Sequence, residues 1–379
     1  MTSPTRPTPP CQILPPYLLA RLAEADGDGL AESVQRTLSL DTRMRDHREV
    51  VTERGSAENR RLLPGAITPT RELRAPRPAP APRPAASEAA VQREIHDAGH
   101  ATALPGALVR AEGAPQTTDV SATEAYDGLG DTWTLLHSAY GRDSLDGKGL
   151  RLVATVHYDQ AYDNAFWDGE QMVFGDGDGV YFNRFTASVD VIGHELTHGL
   201  TQYTAGLTYV AQSGALNESL SDCFGSMVKQ MSLGQDAADA DWLIGEGLFT
   251  SKVNGVALRS MKAPGTAYDD PQLGKDPQPA DMDGYVDLPH DSQHDNGGVH
   301  TNSGIPNRAF HLAATGIGGR SWEGAGQVWY DVLTGGRLVK DATFVAFATL
   351  TVDAATARFG AASTQAAAVQ SAWSTVKVL

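Results

Sequence analysis

Two histidines and a glutamate in the run His194-Glu195-Leu196-Thr197-His198 are spaced for metal chemistry. On a helix, residues i and i+4 share a face, so both imidazoles can converge on one cation while Glu195 leans toward its open side as a general base. The five-residue match alone is weak, because His and Glu also occur together on solvated helix faces. The stretch Asn217-Glu218-Ser219-Leu220-Ser221-Asp222, read as a helix following a turn that contains Gly214, adds a second pair four apart. Glu218 can be a third ligand, and Asp222 is placed to accept the distal N–H of a ligating histidine, which fixes the ring tautomer. Two imidazoles and a carboxylate suit zinc and leave its fourth position to water, which separates a catalytic from a structural site.

The elements around these residues divide by composition. Residues 1–92 hold 13 Arg, no Lys and 11 acids, a net +2, so the rest of the chain carries −18 of the total −16. The run from Ala75 to Ala86 is rich in proline, which forbids helix or sheet interior and predicts an exposed, extended linker. Upstream, Leu30, Val34 and Leu38 recur at helical spacing. From Arg93 to about Ala187 the pattern is β-rich with short segments, including a strand across Leu150–Tyr158. After Ser188 helices dominate. One spans Asp341–Phe359 behind an Asp341 N-cap with Phe344, Phe347 and Leu350 on one face, and another spans Ser321–Leu333 with Trp322, Trp329 and Val332 as core.

The acidic balance argues against nucleic acid and anionic membrane surfaces as partners. No run approaches the roughly 18 apolar residues of a spanning helix, and the first residues lead into no signal-peptide h-region. With only Cys11 and Cys223, the chain has no disulfide framework.

Ordered blocks extend beyond the two metal motifs. They run from Asn164-Ala165-Phe166-Trp167 and Gly175-Asp176-Gly177-Asp178-Gly179 through Gly214-Ala215-Leu216-Asn217-Glu218 and Leu258-Arg259-Ser260-Met261 to the stretch Asp295–Gly304. In this order they resemble the thermolysin family of zinc endopeptidases, from about Arg93 to the C-terminus. The related aminopeptidases usually set the third ligand one residue closer to the second histidine than Glu218 stands. The resemblance implies an α+β fold with two lobes, a β-rich N-terminal lobe at 93–203 that includes the zinc helix and a mainly helical C-terminal lobe at 204–379. The start, Cys11-Gln12-Ile13-Leu14-Pro15-Pro16-Tyr17, resembles the short prosegment of protealysin-type members. It implies an inhibitory prosegment at 1–74 and a linker at 75–92, with maturation between Asp41 and Arg93. Cys11 could present a thiolate to the zinc, although Ile13, Leu14 or Tyr17 filling the cleft is the preferred reading.

In that frame His194, His198 and Glu218 hold zinc, Glu195 takes the proton of the attacking water, and Tyr209 and His300 stabilise the charge on the carbonyl oxygen. Asp222 and Asp295 orient imidazoles. A competing assignment makes His300 the base. Asn164 and the backbone of Ala165 would pair with an extended peptide, and Arg259 would hold a substrate carbonyl. Phe182, Phe185, Val191, Ile244 and Leu258 would line an apolar pocket that favours cleavage before Leu, Phe, Ile or Val. Asp190, Asp241 and Glu246 match calcium ligands, yet Lys229 and Leu243 stand where two further glutamates are expected, so at most one weak calcium ion is expected there. The Asp176 and Asp178 loop reads as a turn. The chain is thus expected to be a monomeric, self-processing endopeptidase acting on peptides or proteins, with its own prosegment as intramolecular inhibitor. Export by a non-classical route is expected from the resemblance, with the cytoplasm as the alternative. The rival reading is a catalytically silent peptide-binding module that keeps its prosegment.

Overall fold

A computed structural model describes residues 12–25, 34–41 and 89–379. Cys11, Leu30, the proline-rich run and most of the interval expected to hold the maturation point lie outside the described residues.

The N-terminal lobe is built on five strands, β1 (Arg93–Asp97), β2 (Ala107–Ala111), β3 (Leu152–Val156), β4 (Ala165–Trp167) and β5 (Met172–Phe174), in the order β2-β1-β3-β5-β4. The inner pairs β1/β3 and β3/β5 are parallel, while the edge strands β2 and β4 run antiparallel to their neighbours. β3 is shorter than the expected Leu150–Tyr158. His157 takes a φ of 54°, a left-handed conformation that turns the chain out of the sheet.

His157 then clamps three elements. Its Nε2 lies 2.7 Å from Asp119 and its Nδ1 2.8 Å from Asp176 Oδ2. Asp119 is the N-cap of α3 (Val120–Tyr140), accepting the Ala122 N–H, and Gly141 closes the same helix in a left-handed C-cap. This 21-residue helix stands inside the segment before Ala187 that was expected to be β-rich with short elements.

The hydrogen bond to Asp176 raises the His157 pKa to about 9 against the opposing effect of burial, and Asp119 adds to the rise. A histidine pKa raised on folding adds stability that is fully present below its unfolded value of about 6.5 and is lost as pH rises through about 9. Thermal unfolding should therefore show a fall in melting temperature between pH 7 and 10 that is smaller in His157→Gln. Equal falls in the two proteins would remove His157 from the account.

The C-terminal lobe follows α4 (Val189–Gln202) with α5 (Ala211–Leu233), α6 (Asp295–Asn302), α7 (Gly304–Ile317), α8 (Ala325–Thr334), α9 (Phe344–Phe359) and α10 (Thr364–Thr375). α9 starts three residues later than expected, because Thr343 rather than Asp341 is the N-cap and accepts the Ala346 N–H. α8 likewise starts at Ala325 rather than Ser321. Trp329 stacks on Trp373 and Phe347 meets both edge-on as core between these helices, as expected for Trp329 and Phe347.

Among the described residues, two short helices precede the lobes: α1 (Pro16–Ala25), and α2 over residues 34–41. Leu18, Leu19 and Leu22 of α1 and Val34 and Leu40 of α2 are buried. Asp41, the last described residue of α2, accepts from the Tyr162 hydroxyl at 2.5 Å and from Asn164 Nδ2 at 3.1 Å. Gln12 pairs antiparallel with Phe166, so the chain ahead of α1 extends the free edge of β4.

Candidate active site

The site begins with how closely α4 and α5 approach. A Cβ on Gly225 would lie 2.3 Å from the Asp190 carbonyl oxygen, and one on Gly193 would lie 3.0 Å from the Gly225 Cα. Only glycine permits this backbone-to-backbone crossing, which carries His194 and His198 of α4 against Glu218 and Asp222 of α5. α5 also corrects the turn expected at Gly214, which lies inside the helix, where an added Cβ would meet Val299 at 2.4 Å.

Both imidazoles are oriented from behind. His194 Nδ1 lies 2.7 Å from Asp222 Oδ1, and His198 Nδ1 lies 2.9 Å from Asn217 Oδ1 and 3.0 Å from the Ser221 hydroxyl. With each Nδ1 donating outward, the two Nε2 lone pairs face one another at 3.0 Å. Two lone pairs at that distance repel unless a cation lies between them. Glu218 completes the donor set, its oxygens 3.5 Å from each Nε2, with Oε2 buried and without a hydrogen-bond partner. Glu195 also lies within metal-ligand reach of both histidines, but one of its oxygens accepts the Trp167 N–H at 3.1 Å. The residues therefore fit a zinc ion held by His194, His198 and Glu218, with Glu195 beside it. Such an ion, when bound, polarises a carbonyl and acidifies water.

Behind His194, Asp222 is wholly buried. Burial pushes its carboxyl pKa up, but the Arg259 guanidinium and His194 hold it well below the usual carboxylate range. Arg259 donates to both Asp222 oxygens, at 2.9 and 2.8 Å, and Asn307 Nδ2 donates at 2.8 Å.

On the opposite side, the Tyr209 hydroxyl donates to Glu218 and lies 3.3 Å from His300 Nε2. His300 is placed by a run of left-handed residues, with Gly297 and Gly298 at φ 89° and 75°. That turn brings Asp295 Oδ1 to 2.5 Å from His300 Nδ1 and Oδ2 to 2.8 Å from its backbone nitrogen. Burial lowers the His300 pKa, but the charges of Asp295 and Glu218 more than offset this and raise it to about 9.

The cleft beside this centre holds the chain's own residues 12–14. Ile13 N–H donates to the Ala165 carbonyl, Leu14 N–H to Asn164 Oδ1, and Arg259 Nη1 to the Ile13 carbonyl. His194, Glu195, His198 and Glu218 are all 0% exposed beneath it. Phe182, Phe185, Val191, Ile244 and Leu258 are buried and belong, like Ile13, to the main hydrophobic core that runs through both lobes, and Ile244 pairs with Arg259 across β6 (Leu243–Ile244) and β7 (Arg259–Ser260).

Away from the cleft, Asp190, Asp241 and Glu246 surround Lys229, whose ammonium lies 3.7, 2.7 and 2.9 Å from their carboxylates. The Asp178 side chain accepts the N–H groups of Val180, Tyr181 and Phe182, an Asx turn of the expected kind. Asn217, Ser221, Asn307 and Asp41 escaped the sequence reading. The spacing of Asn217 and Ser221, four apart and each one residue before a residue already singled out, was the available signal.

Residues 90–202 match the family description "Thermolysin metallopeptidase, catalytic domain", and residues 205–378 match "Thermolysin metallopeptidase, alpha-helical domain". The chain is similar to an "Extracellular metalloprotease" of Pectobacterium carotovorum subsp. carotovorum, 49% identical over 371 residues, 98% of this chain and 97% of the relative. It is 54% identical to "Protease PrtS" of Photorhabdus sp. (strain Az29) over 69% of this chain and 70% of that one. Among solved structures, the precursor of protealysin, a metalloproteinase from Serratia proteamaculans, aligns with a TM-score of 0.82 and 47% identity, covering 97% of this chain and 100% of that chain. With matches that run the length of both lobes and a donor set suited to zinc where its helices cross, the chain belongs to the thermolysin family of metallopeptidases and is a metalloendopeptidase.

Proposed function

We propose that this metalloendopeptidase is made as a self-processing precursor that cleaves peptide bonds ahead of bulky hydrophobic residues. The observation that carries this reading is the segment at residues 12–14, bonded through its backbone to Asn164, Ala165 and Arg259 as an extended substrate would be. In the proposed assignment, His194, His198 and Glu218 hold zinc. Glu195 accepts the proton of the attacking water and returns it to the leaving amine. Tyr209 and His300 donate to the developing oxyanion, with Asp295 fixing the His300 ring and Asp222 that of His194. Residues 1–74 act as the inhibitor and 75–92 as the linker, ahead of lobes at 93–203 and 204–379. Maturation falls between Asp41 and Arg93.

The apolar group of Phe182, Phe185, Val191, Ile244 and Leu258 is assigned to the pocket after the scissile bond. Burying a Leu, Ile, Val or Phe side chain there contributes about 1.5–3 kcal/mol. Quenched peptides differing only at that position should show kcat/KM about tenfold or more higher for Leu or Phe than for Asp. A flat profile would contradict the assignment.

Lys229 supports a site that works without calcium. Burial disfavours its charge, but Asp190, Asp241 and Glu246 together raise its pKa well above the ordinary value. One ammonium neutralises acids that would otherwise call for a dication. The melting temperature should not move when calcium is chelated, whereas Lys229→Glu should melt lower and regain stability with added calcium. A large fall in the wild type on calcium chelation would refute this.

Secretion of this chain is supported by the relatives named extracellular, and a non-classical route is proposed for it. No helix among the described residues is long and apolar enough to cross a membrane. Action as a monomer on peptide or protein substrates completes the proposal.

A further inference from the structure

The segment at residues 12–14 is placed to a single residue. Ile13 N–H reaches the Ala165 carbonyl at 3.3 Å, Arg259 Nη1 reaches the Ile13 carbonyl at 3.0 Å, and Leu14 N–H reaches Asn164 Oδ1 at 3.1 Å. Ahead of them, the Gln12 carbonyl oxygen lies 2.8 Å from His300 Nε2. A slip of one residue would break all four contacts. Ile13 is fully buried and belongs to the main hydrophobic core, as do Phe182, Val191 and Leu258. The carbonyl aimed at the oxyanion donor is thus that of Gln12, and the next amide nitrogen is that of Ile13.

We infer that the Gln12–Ile13 peptide bond is itself a processing site, cut within the precursor and separate from the later cut that frees the catalytic part. This inference rests on the endopeptidase reading above. In the reaction, the oxygen of one water adds to the Gln12 carbonyl carbon and the carbon–nitrogen bond to Ile13 breaks. Both water protons end on the Ile13 amine, the first carried by Glu195, and Gln12 is left as a carboxylate. No oxidant or other co-reactant is needed.

The cut does not release the inhibitor. Pro15 follows the segment and Pro16 begins α1, Leu18, Leu19 and Leu22 stay buried, and Asp41 of α2 holds Tyr162 and Asn164. The product is a nicked precursor whose new N-terminus, Ile13, remains docked.

The test uses the full chain, purified in chelator and started with zinc, and follows intact mass and N-terminal sequence. The expected result is loss of residues 1–12 and an Ile13 N-terminus, formed at a first-order rate that is unchanged on tenfold dilution. Ile13→Asp should slow the cut by about tenfold or more, and Glu195→Ala should prevent it. In uncut Glu195→Ala protein, the Ile13 and Leu14 amides should exchange slowly with deuterium. If the chain hydrolyses casein but no Ile13 terminus forms, or the cut falls at a neighbouring bond, or those amides exchange freely, the processing site is wrong and the endopeptidase reading stands. If neither casein nor the precursor is cut, both are wrong.

Discussion

Glu195→Ala is expected to lower peptide hydrolysis by about 10²–10⁴-fold while bound zinc stays stoichiometric, because a positioned general base contributes a factor of that order. Glu195 is wholly buried, sits one residue after His194 on α4, and is fixed by the Trp167 N–H at one oxygen. Alanine removes the carboxylate without touching His194, His198 or Glu218. The purified variant should therefore remain full length while the wild type shortens. Hydrolysis within about threefold of wild type would transfer the base role to His300.

The second large effect is expected from Arg259→Ala, and it falls on stability as well as catalysis. Arg259 donates to both oxygens of Asp222, a carboxylate with no exposure, and its third nitrogen holds the Ile13 carbonyl. Removing one partner of a buried ion pair leaves an uncompensated charge and costs about 3–5 kcal/mol. His194 and Asn307 still contact Asp222, so the lower end of that range is expected. Urea unfolding should show the midpoint move down with little change in slope. Arg259→Lys should recover only part, because an ammonium cannot reproduce the two-pronged contact. Loss below about 1 kcal/mol would mean that Asp222 is not held as described.

Helical spacing made the centre of the site legible. His194 with His198, and Glu218 with Asp222, each occupy one face of a helix, and the fold has only to cross those helices. The glycines that let them cross, Gly193 and Gly225, carry no signal of their own, since their role depends on a partner backbone distant in sequence. The long helix α3 was hidden for a related reason. Gly128 and Gly130 lower its helix propensity, yet a Cβ on Gly128 would strike Ile192 of α4 at 2.5 Å, so close packing outweighed propensity there. His300 was legible only through resemblance, because a run of left-handed residues has no periodicity. Asn307 and Asp41 act through contacts 85 and 123 residues away in the chain, with Asp222 and Asn164 respectively, and no local pattern encodes them.

The most direct test of the central claim is zinc content measured alongside hydrolysis on one mature sample. One zinc per chain is expected, with activity lost on chelation, restored by zinc, and both metal and activity lost together in Glu218→Ala. Casein hydrolysis that persists after zinc has been removed would contradict the account.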